Sequence, residues 1–263
     1  MPPTALNRAQ TRLAIVGTGR LGSAFARRLA ASKAIALVGP LGREAFHAAA
    51  AHAAATCDAV LLCVPDAQIA PAAAAIPPGP LVGHCSGATG LQPLAPHDAF
   101  SLHPLMTVTA AGADFGGVTA AIDGSTERAT RFARRLAAEL GLQPIRVAPA
   151  DRAAYHAAAS LASNFLVTLE AAAERLGATA GLERQALVPL VRATVENWAT
   201  LGAEGALTGP VARGDEATVA RQREAVAQRT PELLPLFDSL TEATRALATA
   251  APSPTPTREL EHA

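Results

Sequence analysis

The chain has 263 residues, 50% of them hydrophobic, and its 22 basic and 22 acidic side chains cancel to a formal net charge of zero. This length and apolar content can bury one large core or two modest ones, while the neutral balance gives no basic footprint for nucleic acid and no acidic tail. Cys57, Cys63 and Cys85 are odd in number and lack CxxC or metal-type spacing, which argues against a disulfide framework. No apolar run reaches the ~18 residues that span a bilayer. The opening Met1-Pro2-Pro3-Thr4-Ala5-Leu6-Asn7-Arg8 has no signal-peptide core, so a cytosolic location is expected, with no membrane partner and with small molecules or further copies of the chain as partners.

In chain order, short apolar runs rich in β-formers alternate with Ala-rich helical patterns. Strands are predicted at Arg12–Val16, Ala34–Val38, Ala59–Val64, Pro80–His84, Ala99–His103, Val118–Ile122 and Pro144–Ala148. Helices are predicted between them near Leu21–Ala31, Arg43–Ala54, Asp66–Ala75 and Ser125–Leu140. This alternation reads as an α/β domain with a parallel sheet and crossover helices, over residues 1–150. After Pro149 the strands stop. Helices over about Asp151–Gly177, Leu182–Leu201, Asp215–Gln228 and Pro231–Ala248 define an all-α domain, 151–250, for substrate binding or dimerisation. Its first helix is apolar almost all round and is expected to be buried. Residues 251–263, with Pro252, Pro254 and Pro256, read as a disordered tail.

The first strand runs into Gly17-Thr18-Gly19-Arg20-Leu21-Gly22 and a helix begins, the context of a dinucleotide fingerprint in a Rossmann-like domain. Gly17 permits the tight turn, Gly19 clears space for a pyrophosphate, and Gly22 lets the helix pack on its strand. The helix N-terminus offers free N–H groups and a partial positive charge. The second strand ends Val38-Gly39-Pro40-Leu41-Gly42-Arg43, with no carboxylate before Glu44 to hold a ribose 2′-hydroxyl. Arg43 fits a 2′-phosphate through its planar fork, which favours NADP over NAD; the alternative is a solvated residue in a first helical turn. Val64-Pro65 closes the third strand at the carboxyl edge where the nicotinamide is expected, and Asp66 reads as a helix N-cap.

His84-Cys85-Ser86-Gly87-Ala88-Thr89-Gly90 reaches the same edge. Ser86 is a candidate hydrogen-bond partner for a substrate carbonyl or carboxylate, against a Gly-rich turn with a capping hydroxyl. His84, Cys85 and His103 match no familiar zinc spacing, so no metal is expected. His103 is as well read as a packed histidine as a catalytic one. In the helical part, His156, Ser160 and Asn164 fall at i, i+4 and i+8 and line one face for ~12 Å. They either find partners on other helices or line a cleft in which His156 supplies a proton and Asn164 orients the substrate. In Gly205-Ala206-Leu207-Thr208-Gly209-Pro210-Val211-Ala212-Arg213-Gly214-Asp215, Arg213 suits bidentate binding of a substrate carboxylate, Thr208 adds a hydroxyl, and Asp215 reads as a cap.

Together, the Gly17–Gly22 fingerprint, His84-Cys85-Ser86-Gly87, Ser101-Leu102-His103-Pro104-Leu105, Tyr155-His156 with Ser163-Asn164, and the run from Leu207 to Asp215 resemble a two-domain family. Its members pair a Rossmann-like domain with a C-terminal domain of unknown function, DUF2520. The family is similar in architecture to pyrroline-5-carboxylate reductases and to 6-phosphogluconate and β-hydroxyacid dehydrogenases, and some members resemble an alternative type of ketopantoate reductase. The resemblance implies reduction of a 2-oxo acid by NADPH, in pantothenate synthesis if the substrate is ketopantoate, and a homodimer formed through the helical domain. Lys33 is the only lysine in the chain and precedes the second strand, so the catalytic lysine of the β-hydroxyacid dehydrogenases has no counterpart here. His156 is the preferred proton donor, with Ser86 and His103 behind it. An imine reductase of the pyrroline-5-carboxylate reductase type and a non-catalytic NADP-binding sensor are the competing readings.

Overall fold

In the computed structural model, residues 10–250 are described; the tail expected at 251–263 lies outside the described residues. All seven expected strands form and join one sheet in the order β2-β1-β3-β4-β5-β6-β7. They are β1 Thr11–Val16, β2 Ile35–Leu41, β3 Ala59–Leu62, β4 Leu81–His84, β5 Ala99–Pro104, β6 Thr119–Gly124 and β7 Gln143–Arg146. The strands from β2 to β5 are parallel. β6 departs from the expected all-parallel sheet: it runs antiparallel to β5, and β7 then runs parallel to β6. The reason is the connection, because no helix lies between Pro104 and Thr119 to carry the chain back across the sheet.

The helices of this unit are α1 Arg20–Leu29, α2 Arg43–Thr56, α3 Ile69–Ala74, α4 Glu127–Leu140 and α5 Arg152–Ser160. Alternation along β1 assigns the two faces of the sheet. Leu13 and Ile15 join Phe25, Leu29, Phe100, Phe132 and Leu136 in a core under α1 and α4. Ala14 and Val16 join Phe46, Val60, Leu62, Ile69 and Val82 under α2 and α3. A sheet covered on both faces explains why its strands read as continuous apolar runs. Phe100 meets Phe132 edge-on at 5.0 Å between ring centres, and Phe25 meets Phe115 at 5.1 Å. At α4, Thr126 caps the helix, its side chain accepting from the Ala129 N–H.

The chain divides into two compact units between Ser160 and Leu161, so α5 belongs with the sheet. Where one helix over 151–177 is expected, α-helical bonding gives way to a π-helical turn, Leu161–Phe165, before α6 Leu166–Ala178. Asn164 lies inside that turn, and the i, i+4, i+8 spacing from His156 is not kept as far as Asn164.

The helical unit continues through α7 Arg184–Ala206, α8 Glu216–Arg229 and α9 Leu234–Thr249. Asp215 caps α8, as expected, by accepting from the Thr218 N–H. Bidentate pairs tie Arg184 to Glu174, Arg223 to Asp238 and Arg245 to Glu216. The expectation of a buried first helix is corrected: α6 and α7 have no buried residue in the single chain. Val167 is 70% exposed, Leu190 65% and Trp198 58%.

One sheet position has no room for a side chain. A Cβ on Gly83 in β4 would stand 2.3 Å from Cζ of the fully buried Phe100. Gly83→Ala is expected to overpack this core and lower stability by about 1–3 kcal/mol, measured as a drop in thermal midpoint.

Candidate active site

The strand order reverses between β1 and β3, and it is outside the carboxyl ends of such strands that open α/β sheets bind ligands. A pocket of about 250 Å³ lies there, lined among others by Gly17, Thr18, Gly19, Arg43, Val64 and Pro65. Gly17 has φ +113°, and a Cβ on it would sit 2.2 Å from the Cys63 carbonyl oxygen. Gly22 packs as closely, since its Cβ would lie 2.1 Å from the Gly17 oxygen. Beside Gly19 there is open space, and Gly19 itself forms the N-cap of α1 without a side-chain cap to occupy the first N–H groups. These are the features that a pyrophosphate needs, and the residues fit a dinucleotide. Arg20 begins α1 exposed, Leu21 packs against the core, and Arg43 stands exposed at the start of α2 on the pocket rim.

The next loops along the edge carry a dense polar network. Ser86 Oγ donates to Asp66 Oδ2 at 2.7 Å and accepts from the N–H groups of Ala88 and Thr89 at 3.2 and 2.9 Å. Thr89 Oγ1 donates to the same Asp66 oxygen at 2.9 Å. Asp66 is therefore not the expected helix cap; it fastens the 86–89 turn to the end of β3. The Ser86 hydroxyl is engaged in that turn, as the capping reading had it. His84 is fully buried beneath, with Nε2 2.9 Å from the Gly90 oxygen and Nδ1 accepting from the Ser86 N–H at 3.1 Å. Burial lowers its pKa and favours this neutral form.

Arg152, the first residue of α5, is 5% exposed. Its guanidinium donates to the Thr89 oxygen at 3.0 Å and to Ser101 Oγ at 3.0 Å, reaches the Ser86 oxygen at 3.5 Å, and lies 3.6 Å from Asp123 Oδ2. One side chain thus ties together the 86–89 turn, β5, β6 and the start of α5. Three and four residues along that helix come Tyr155 and His156. The Tyr155 hydroxyl is 2.9 Å from His103 Nδ1, and the rings of His103 and His156 stand 6.2 Å apart between centres. Burial is the main cause that brings the His103 pKa down to about 4, with further lowering from His156 and Arg152, and the same desolvation raises Tyr155.

Of the sequence-derived site residues, Ser86 and His156 meet in this network, and the fingerprint residues with Arg43, Val64 and Pro65 meet at the pocket. Ser160 ends α5 half-buried. Asn164, Thr208 and Arg213 belong to the helical unit, where all three are exposed and Asn164 Oδ1 accepts from Ser163 Oγ at 3.0 Å. Arg152 and the roles of Tyr155 and Asp66 are not read from the sequence; the signal for Arg152 was one arginine opening an Ala-rich helix. Cys63 and Cys85 are free thiols 3.6 Å apart, and the hydrogen bond between them and burial push the Cys85 thiol up. Among the described residues, no group of three or more His, Cys, Asp or Glu is placed to hold a metal ion, and no helix is long and apolar enough to cross a membrane.

Replacing Arg152 with leucine would leave the carboxylate of Asp123 and two carbonyls without their partner. Arg152→Leu is expected to cost about 3–5 kcal/mol in a denaturant titration, as loss of one member of a buried pair does.

Comparison with known proteins agrees with this architecture. The search of curated proteins finds no match. Among solved structures, protein TM1727 from Thermotoga maritima is similar at 26% identity and a TM-score of 0.71, over 90% of this chain and 98% of that one. The reductive aminase from Aspergillus terreus in complex with NADPH and ethyl levulinate aligns at 17% identity and 0.64, over 90% and 94%. The 1-pyrroline-5-carboxylate reductase of Streptococcus pyogenes aligns at 14% and 0.57, over 90% and 99%. The two lower identities speak to the fold alone. Residues 118–244, from the edge of the sheet through the helical unit, match the family model described as a domain of unknown function, DUF2520.

Proposed function

We propose that the chain is an NADPH-dependent oxidoreductase that reduces a small 2-oxo acid, with ketopantoate, giving pantoate, as the leading substrate. The observation that carries this reading is one sheet edge bearing two features. A glycine-lined pocket has an arginine on its rim, and a histidine pair stands on the adjoining elements. The reductive aminase of the same fold was solved with NADPH, which supports the choice of cofactor. When bound, the reduced nicotinamide supplies hydride.

The chain's own residues do the rest. The Gly17–Gly22 turn and the α1 N-terminus hold the pyrophosphate, Arg43 pairs with the 2′-phosphate, and Val64 and Pro65 form the wall beyond. His156, exposed beside Gly87, gives a proton to the nascent alkoxide and regains it from solvent. Thr208 and Arg213 for the carboxylate, and Ser160 and Asn164 for orientation, remain proposals that rest on the residue pattern. An imino acid such as pyrroline-5-carboxylate is the second reading, favoured by the fold shared with the Streptococcus pyogenes enzyme.

The test is NADPH oxidation at 340 nm with ketopantoate, run beside NADH and beside pyrroline-5-carboxylate. Saturable turnover with ketopantoate is expected, with kcat falling roughly 100-fold in His156→Ala. Arg43→Ala is expected to weaken NADPH roughly 10-fold or more while leaving NADH nearly unchanged, as loss of a charge-assisted pair would. Tight NADPH binding without turnover on any oxo or imino acid would point instead to a sensor.

We also propose a homodimer through the helical unit. Its support is the unpartnered apolar surface of Phe165, Val167, Leu190, Trp198 and Leu201, all at least 57% exposed in the single chain. Light scattering after gel filtration is expected to give twice the 26.7 kDa chain mass, and Leu190→Asp with Trp198→Asp to shift it toward monomer.

A further inference from the structure

Gly87 lies between two imidazoles. A Cβ placed there would be 2.7 Å from His103 Cε1, 2.9 Å from His103 Nε2 and 2.8 Å from His156 Cδ2. The two rings therefore pack against the Gly87 backbone where a side chain would stand; Nε2 of His103 lies on that side, and its other nitrogen meets Tyr155. His103 sits near the end of β5, so the sheet fixes its backbone, and the buried Arg152 fixes the helix that carries Tyr155.

The direction of the Tyr155 to His103 bond decides what Nε2 can do. A phenol is the stronger hydrogen-bond donor and a neutral imidazole nitrogen the stronger acceptor, which assigns the donor role to the Tyr155 hydroxyl. Its hydrogen then goes to His103 Nδ1, 2.9 Å away. An imidazole that accepts at Nδ1 and is neutral must carry its hydrogen on Nε2.

We infer that His103 is a further catalytic residue, a neutral hydrogen-bond donor through Nε2–H to the substrate heteroatom that gains negative charge, and that Tyr155 is the positioning residue that selects this tautomer. The identity of that heteroatom, the oxygen of a reduced carbonyl or the nitrogen of a reduced imine, rests on the reductase reading. No proton leaves His103 in this role: a fixed dipole stabilises the developing charge, and the proton that completes the product comes from His156. Neutrality is supported by the surroundings. Burial and the nearby His156, Arg152 and His84 oppose an imidazolium at this position, and Asp66 is the one facing group that favours it.

The first readout needs no substrate. Long-range proton–nitrogen NMR of the full chain at neutral pH reports the tautomer of each of its seven histidines, and His103→Gln identifies the His103 signal by its disappearance. The Nε2–H form is expected in the wild type and a mixture of tautomers in Tyr155→Phe. In turnover, Tyr155→Phe is expected to lower kcat roughly 10-fold with NADPH affinity and thermal midpoint nearly unchanged. His103→Gln, which keeps an amide donor, should retain at least 10 times the kcat of His103→Ala. An Nδ1–H tautomer in the wild type overturns the proposal, as does a Tyr155→Phe variant with unchanged tautomer and kcat. If no oxo or imino acid turns over, the reductase reading fails separately, while the NMR result still decides whether Tyr155 sets the tautomer.

Discussion

The candidate site depends on one buried guanidinium. Arg152 holds the turn after β4 by its carbonyls, β5 by Ser101 and β6 by Asp123, and it does so from the first residue of α5. Burying a charge is costly unless its hydrogen bonds are satisfied, and here the guanidinium meets four oxygens from three separate segments. Geometry so constrained fixes where α5 starts and how it is rotated. The positions of Tyr155 and His156 follow from that rotation, because they lie within the next turn of the same helix.

Around this tie, neighbouring polar groups divide their work. His84 and Ser86 spend their hydrogen bonds on the turn, and Asp66 clamps Ser86 and Thr89 to the end of β3. Outside that network stand the pocket at Gly19 and the two imidazoles that pack against Gly87. The glycines at 17, 22 and 87 share a physical logic, in that backbone or ring atoms already occupy the place a side chain would need. Gly19 differs, since nothing stands near it, and a space left empty by the protein is one that a phosphate can fill.

The helical unit follows other rules. Its arginine pairs are exposed and contribute little each. Its larger apolar side chains are turned outward in the single chain, which leaves the sequence pattern that signalled a buried helix unmet there. The proposed homodimer reconciles a nearly all-round apolar helix with a chain that leaves it uncovered.

The sequence by itself determined the elements that local chemistry dictates. All seven strands, the glycine turn into α1, the Asp215 cap and the strand-free second half were legible, because apolar periodicity, glycine conformational freedom and capping act within a few residues. Only the tertiary structure decided the rest. The reversal of β6 depends on how a helix-free connection closes. The π-helical turn that breaks the His156 to Asn164 spacing is a local departure that no side-chain pattern announced. Asp66 looked like a cap because caps are local, and it became a clamp because Ser86 and Thr89 approach from 20 and 23 residues away. The pairing of His103 with Tyr155 spans 52 residues, and that of Arg152 with Ser101 spans 51. Contacts at such separation are set by the order in which strands pair, which sequence periodicity does not encode.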